Sequence, residues 1–101
     1  MDLTKFIAEF VGTFVFLGVV LSTGEAIPIG LALAVVIFLI GRVSGGHVNP
    51  AVSAMFYARG DMTSSQFGTY VVAQVLGALC ALMWFKKTRG TNYKNYKNLK
   101  L

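Results

Sequence analysis

Three long apolar stretches alternate with short polar or glycine-rich ones along the chain, and each reads as a helix that crosses a bilayer, although the second is somewhat short of the hydrocarbon core. The first runs from about Phe6 to Leu21 and contains one charge, Glu9. The second runs over the sixteen residues from Ala26 to Gly41, or ~24 Å at the rise of an α-helix. The third, from about Phe67 to Phe85, would be ~28 Å long, close to the ~30 Å hydrocarbon core. Ser22 to Glu25 are all that separate the first two stretches, so they must form an antiparallel hairpin. Pro28 suits the first turn of the second helix, where a missing N–H is harmless. Thr63 and Gln66 have capping-box spacing ahead of the third. Trp84, Phe85, Lys86 and Lys87 close that helix with an aromatic and cationic edge of the kind found at headgroup level.

A fourth apolar stretch is too short to span. Asn49 is a favoured N-cap residue and Pro50 a favoured first helical residue. A helix from Pro50 to Ala58 would be only ~13 Å long, and Arg59-Gly60-Asp61 would end it. Such a helix between two spans reads as re-entrant. The glycine-rich segment before it would be irregular backbone, tolerated at membrane depth only where protein or a cavity surrounds it. The pattern therefore predicts an all-α membrane protein: three transmembrane helices over about 5–22, 26–43 and 66–86, plus one re-entrant half-helix over about 50–58. Small residues recur four apart in every span, namely Ala8 and Gly12, Gly30 and Ala34, and Ala73, Gly77 and Ala81. Such pairs let helix backbones approach closely in lipid.

Composition agrees. The chain is 55% hydrophobic and only 13% charged, about half the charged fraction usual in soluble domains. The formal net charge of +5 is uneven, with six of nine basic residues after Phe85. Flanking an apolar stretch, these residues point to lipid headgroups and not to nucleic acid. A membrane domain over 1–87 and a basic polar tail over 88–101 follow. Cys80, the only cysteine, excludes an intramolecular disulfide and reads as a small buried hydrophobe. The sequence shows no nucleophile–base pair and no metal-ligand cluster, so neither an enzyme nor a cofactor is expected. Glu9, a charge inside a span, is a functional candidate by that fact alone.

The decapeptide Ser44-Gly45-Gly46-His47-Val48-Asn49-Pro50-Ala51-Val52-Ser53 resembles the first repeat of the major intrinsic protein family, the aquaporins and glycerol facilitators. Ala8-Glu9-Phe10-x-Gly12-Thr13 and Ala73-Gln74-x-x-Gly77 support the resemblance at matching spacing, which extends over roughly residues 5–87. It implies a passive channel for water or small neutral solutes. Asn49, Pro50 and Ala51 would form the pore motif at the half-helix start, with Asn49 donating to a passing water. Carbonyls of Gly45, Gly46, His47 and Val48 would guide water in single file. Glu9, by accepting backbone N–H bonds, and Gln74 beside it would support the loop. The resemblance gives Ile29, twenty residues before Asn49, as the constriction wall, where water-selective members usually carry an aromatic residue. His47, with no partner evident, is read as a hydrogen-bonded packing residue of the loop and not as a pH gate.

Family members carry two inverted repeats in one chain, and this sequence holds one. A single repeat does not enclose a pore, so a partner half is expected: a second copy in an antiparallel dimer, or a separate half-channel chain. The alternatives are a non-conducting subunit that pairs with full-length relatives and an inactive truncated product. Flanking charge bears on orientation. Lys5, Arg42 and Arg59 lie on one side; Lys86, Lys87 and Arg89 balance them on the other, and Lys94, Lys97 and Lys100 tilt the chain toward a cytoplasmic C-terminus. A topology reporter fused after Leu101 should accordingly signal from both faces or mainly from the inside; a signal wholly on the outer face contradicts this assignment.

Overall fold

The computed structural model describes residues 1–89, so the tail from residue 90 onward, with its Asn-Tyr-Lys repeats, lies outside the described residues. Four helices follow in order: α1 (Leu3–Thr23), α2 (Ala26–Ser44), α3 (Pro50–Ala58) and α4 (Ser64–Arg89). α1, α2 and α4 are each long and apolar enough to cross a membrane. α3 is the short helix that follows the glycine-rich segment. The link between α1 and α2 is shorter than the sequence suggested, because α1 continues to Thr23 and Gly24 caps it through an N–H bond to the Val20 carbonyl. α4 runs through Thr88 and Arg89, two residues past the expected end of the membrane domain at 87.

Local signals fix the helix starts. The side chain of Asp2 accepts from the Lys5 N–H at the head of α1. Thr63 and Gln66 form a reciprocal capping box ahead of α4: the Thr63 N–H donates to Gln66 Oε1 at 2.9 Å, and the Gln66 N–H to Thr63 Oγ1 at 3.1 Å. Tyr57 stacks on Phe67 with centroids 4.8 Å apart, which ties the end of α3 to the start of α4.

α1 is the hub of the bundle. It packs against α2 on one side and α4 on the other, while α3 rests on α4. α1 and α4 run parallel, and the tightest point of their seam is Gly77. A methyl group there would fall 2.6 Å from the Phe10 carbonyl oxygen and 3.2 Å from the Phe14 nitrogen. Gly12 plays the same part toward α2, where its missing side chain admits Ile40, Val36 and Val48. The small pairs of α1 and α4 thus lie in helix seams. Gly30 and Ala34 of α2 do not: both are exposed, and nothing lies within 4 Å of where a Gly30 methyl would stand. The reason is that α2 meets α1 through its Val36–Ile40 face, which leaves the Gly30 face without a neighbour among the described residues.

Replacing Gly77 with Ala should push α1 and α4 apart at a backbone-to-backbone contact. We expect a destabilisation of roughly 1–3 kcal/mol, read as a lower unfolding midpoint in mixed micelles. Gly30→Ala, with open space around it, should be neutral or stabilising.

Candidate functional site

The segment Gly45–Asn49 turns back into the bundle after α2 ends. Its backbone is unusual: φ is +91° at Gly45, +64° at Gly46 and +45° at Val48. Glycine adopts this region freely; a β-branched valine does so only under constraint. Two contacts supply the constraint. The Val48 N–H donates to Glu9 Oε1 at 2.7 Å, and its side chain, only 3% exposed, lies where it would meet a methyl at Gly12. Gly46 is needed for a second reason, because a side chain there would stand 3.1 Å from the Ile37 Cα.

These contacts also set the depth of the loop. Gly12 lies near the middle of α1 and Val36 near the middle of α2, and Val48 packs at that level. Asn49, the next residue, therefore sits close to half the height of the spanning helices. α3 starts there and runs back to the side from which the loop entered.

Glu9 is fully buried and holds the loop to the bundle. Its Oε2 accepts from Ser44 Oγ at 2.6 Å and from the His47 N–H at 3.0 Å. Its Oε1 accepts from the Val48 N–H at 2.7 Å and from Gln74 Nε2 at 3.0 Å. All four partners donate, so the carboxylate is acceptor-only and its charge is met by N–H and O–H dipoles. A buried ion costs several kcal/mol in lost hydration; hydrogen bonds to a charged group return ~1.5–3 kcal/mol each.

Gln74 extends the network. Its Nε2 also donates to Ser53 Oγ at 3.0 Å, which fastens α3 to α4. With both contacts on the nitrogen, Oε1 is left buried and without a partner among the described residues. The flipped amide would set that oxygen against the Glu9 carboxylate. His47, for which the sequence offered no partner, has several: Nδ1 lies 2.8 Å from Ser53 Oγ, and the ring stacks on Phe56 and tilts against Tyr70, with centroids 4.8 Å away in both cases.

Asn49 faces the other way. Its Oδ1 accepts from the Ala51 N–H at 2.8 Å, which caps α3, with Pro50 as the first helical residue. The cap leaves Nδ2 with no hydrogen bond among the described residues, and Asn49, Pro50 and Ala51 are all exposed. Ile29 is not part of this cluster. It sits in the first turn of α2, eight residues or ~12 Å along the helix from Ile37, where the loop makes contact.

Residues 1–99 match the Major intrinsic protein family over nearly the whole sequence. The chain belongs to that family. Glycerol uptake facilitator protein-like 6 of Lactiplantibacillus plantarum is 40% identical over 86 residues, covering 76% of this chain and 40% of its own length. Aquaporin NIP1-1 of Arabidopsis thaliana is 40% identical over 93 residues, covering 78% of this chain and 31% of its own. Aquaporin Z of Rhodopseudomonas palustris is 33% identical over 99 residues, 80% and 40% respectively. This major intrinsic protein chain thus spans at most two fifths of the length of these relatives. With three apolar helices of crossing length, it is an integral, multi-pass membrane protein.

The sequence alone assigns no role to three members of the network: Ser44, Ser53 and Tyr70. Ser44 donates to Glu9 and accepts from the Gly46 N–H, while Tyr70 closes the cluster by donating to the Ser44 carbonyl at 2.6 Å. The signal for Tyr70 was its position four residues before Gln74, one turn away on the same helix face. Ser44 and Ser53 stood at the two ends of the decapeptide, but two serines so spaced do not reveal a shared carboxylate.

Glu9→Gln keeps the shape and replaces one acceptor oxygen with an NH2 facing two N–H or O–H donors. We expect a loss of about 3 kcal/mol or more, seen as an unfolding midpoint well below that of the parent chain. Equal stability would show that the carboxylate does not carry the loop.

Proposed function

We propose that this chain supplies one half of a passive channel for water or small neutral solutes, completed by a second half of the same architecture in inverted orientation. The observation that carries the reading is the free Asn49 amide, exposed at mid-depth on the N-terminus of α3.

A helix N-terminus bears roughly half a positive charge. Placed at the middle of a bilayer, it repels cations, hydronium included. A water passing Asn49 would accept from Nδ2 with its oxygen. That oxygen is then unable to accept a proton from the neighbouring water, so a proton cannot hop along the file. The run of positive φ at Gly45, Gly46 and Val48 supports a ladder of carbonyls from residues 45 to 48 as the path to Asn49. Pro50 and Ala51 complete the half-helix tip. Glu9 and Gln74 act from behind, holding the ladder in place. Ile29 would wall the constriction with an aliphatic side chain, wider or more apolar than an aromatic one.

Opposed half-helices need a partner face. A second copy inserted in the opposite sense would supply it through a twofold axis in the membrane plane; a separate half-channel chain would serve equally. The exposed tip of α3 is the surface either would meet.

Asn49→Asp separates conduction from folding. Aspartate caps a helix as well as asparagine, so the unfolding midpoint should stay within ~0.5 kcal/mol of the parent. The donor, however, is replaced by a carboxylate. Stopped-flow shrinkage of vesicles holding only this chain should show permeability above lipid that falls to the lipid baseline in the variant. Absence of permeability in the parent chain would favour a non-conducting subunit.

A further inference from the structure

At the membrane edge opposite the loop's entry, a groove of about 220 Å³ lies between the far ends of α1 and α4. Apolar residues such as Phe14, Gly18 and Phe85 line it, and Ser22, Thr88 and Arg89 line it toward the ends of the two helices. Among the described residues, nothing lies within 4 Å of where a Gly18 methyl would be. Arg89 is exposed, with its guanidinium 5.9 Å from the Phe85 ring. Trp84 lines the same groove and is 62% exposed. An apolar trough that ends in a cation at headgroup level matches a lipid in both its parts.

We propose that this groove is a binding site for an anionic phospholipid, with an acyl chain along Phe14, Gly18 and Phe85 and the phosphate on Arg89. Arginine suits the role because its guanidinium presents paired N–H donors to phosphate oxygens. Lys86 and Lys87 lie at the same end of α4 and add to the attraction of an anionic surface. The site is independent of conduction: it shares no residue with the Glu9 network and stands whether or not the half-channel reading holds.

The chain carries its own reporter, since Trp84 is its only tryptophan. Brominated acyl chains quench tryptophan fluorescence on contact. The full chain would be reconstituted in phosphatidylcholine vesicles containing a small fraction of brominated phosphatidylglycerol, and compared with vesicles containing the same fraction of brominated phosphatidylcholine. The anionic lipid should quench more strongly. Arg89→Gln should reduce its relative affinity by about fivefold, the effect of one cation near an anionic surface. Gly18→Leu fills the trough with a side chain that meets open space, so it should fold normally and lower the quenching likewise. Lys86, Lys87 and the distal lysines remain in both variants. If Gly18→Leu leaves the preference for anionic lipid unchanged, or if Lys87→Gln lowers it as much as Arg89→Gln does, general attraction to the basic end explains it and the site proposal is overturned.

Discussion

One buried carboxylate organises this bundle. Glu9 sits at the junction of α1, the end of α2, the re-entrant loop and α4, and it touches all of them through hydrogen bonds. In a bilayer, irregular backbone must find partners within the protein. A helix satisfies its own N–H groups and a strand pairs with its neighbour; the Gly45–Asn49 segment is neither, so a side chain supplies acceptors instead. Carboxylate is well suited to this, since it offers two oxygens and only accepts. In the same arrangement no cation among the described residues pairs with Glu9. A lysine would meet the charge but would leave the His47 and Val48 N–H groups unsatisfied.

The strain at Val48 follows from this anchoring. Its N–H is drawn to Glu9 while its side chain is seated at the α1–α2 crossing. Both hold the residue at a φ of +45°, a value valine avoids when free. Asn49 follows directly, so the backbone conformation at Val48 sets where the amide of Asn49 is placed. Support and exposure are thus divided between neighbouring residues. Val48 is turned into the protein, and Asn49 is turned out of it.

Much of the architecture was legible in the sequence because lipid imposes simple requirements. Long apolar runs of spanning length, a two-lysine aromatic edge and an Asn-Pro start each carry a local physical meaning, and the helices lie within a few residues of where those signals put them. What was not legible depended on three-dimensional neighbours. Small residues four apart look alike in every span, yet Gly77 is pressed against a backbone and Gly30 faces open space; only the position of α2 at the flank of α1 distinguishes them. His47 seemed alone because Ser53, Phe56 and Tyr70 reach it through folding of α3 onto α4. Glu9 was conspicuous as a charge in a span, but the identity of its donors, including Ser44, belonged to the fold.

The separation along the chain between Glu9 and its donors has a consequence for biogenesis. Ser44, the nearest of them in sequence, lies 35 residues downstream, and Gln74 lies 65 residues downstream. During synthesis α1 emerges long before either exists. Until those donors arrive, a charge within a span is costly among lipid tails. The stabilisation of this buried charge therefore comes only with the tertiary fold, since the first of its side-chain donors, Ser44, is made only after the whole of α1 and at the very end of α2.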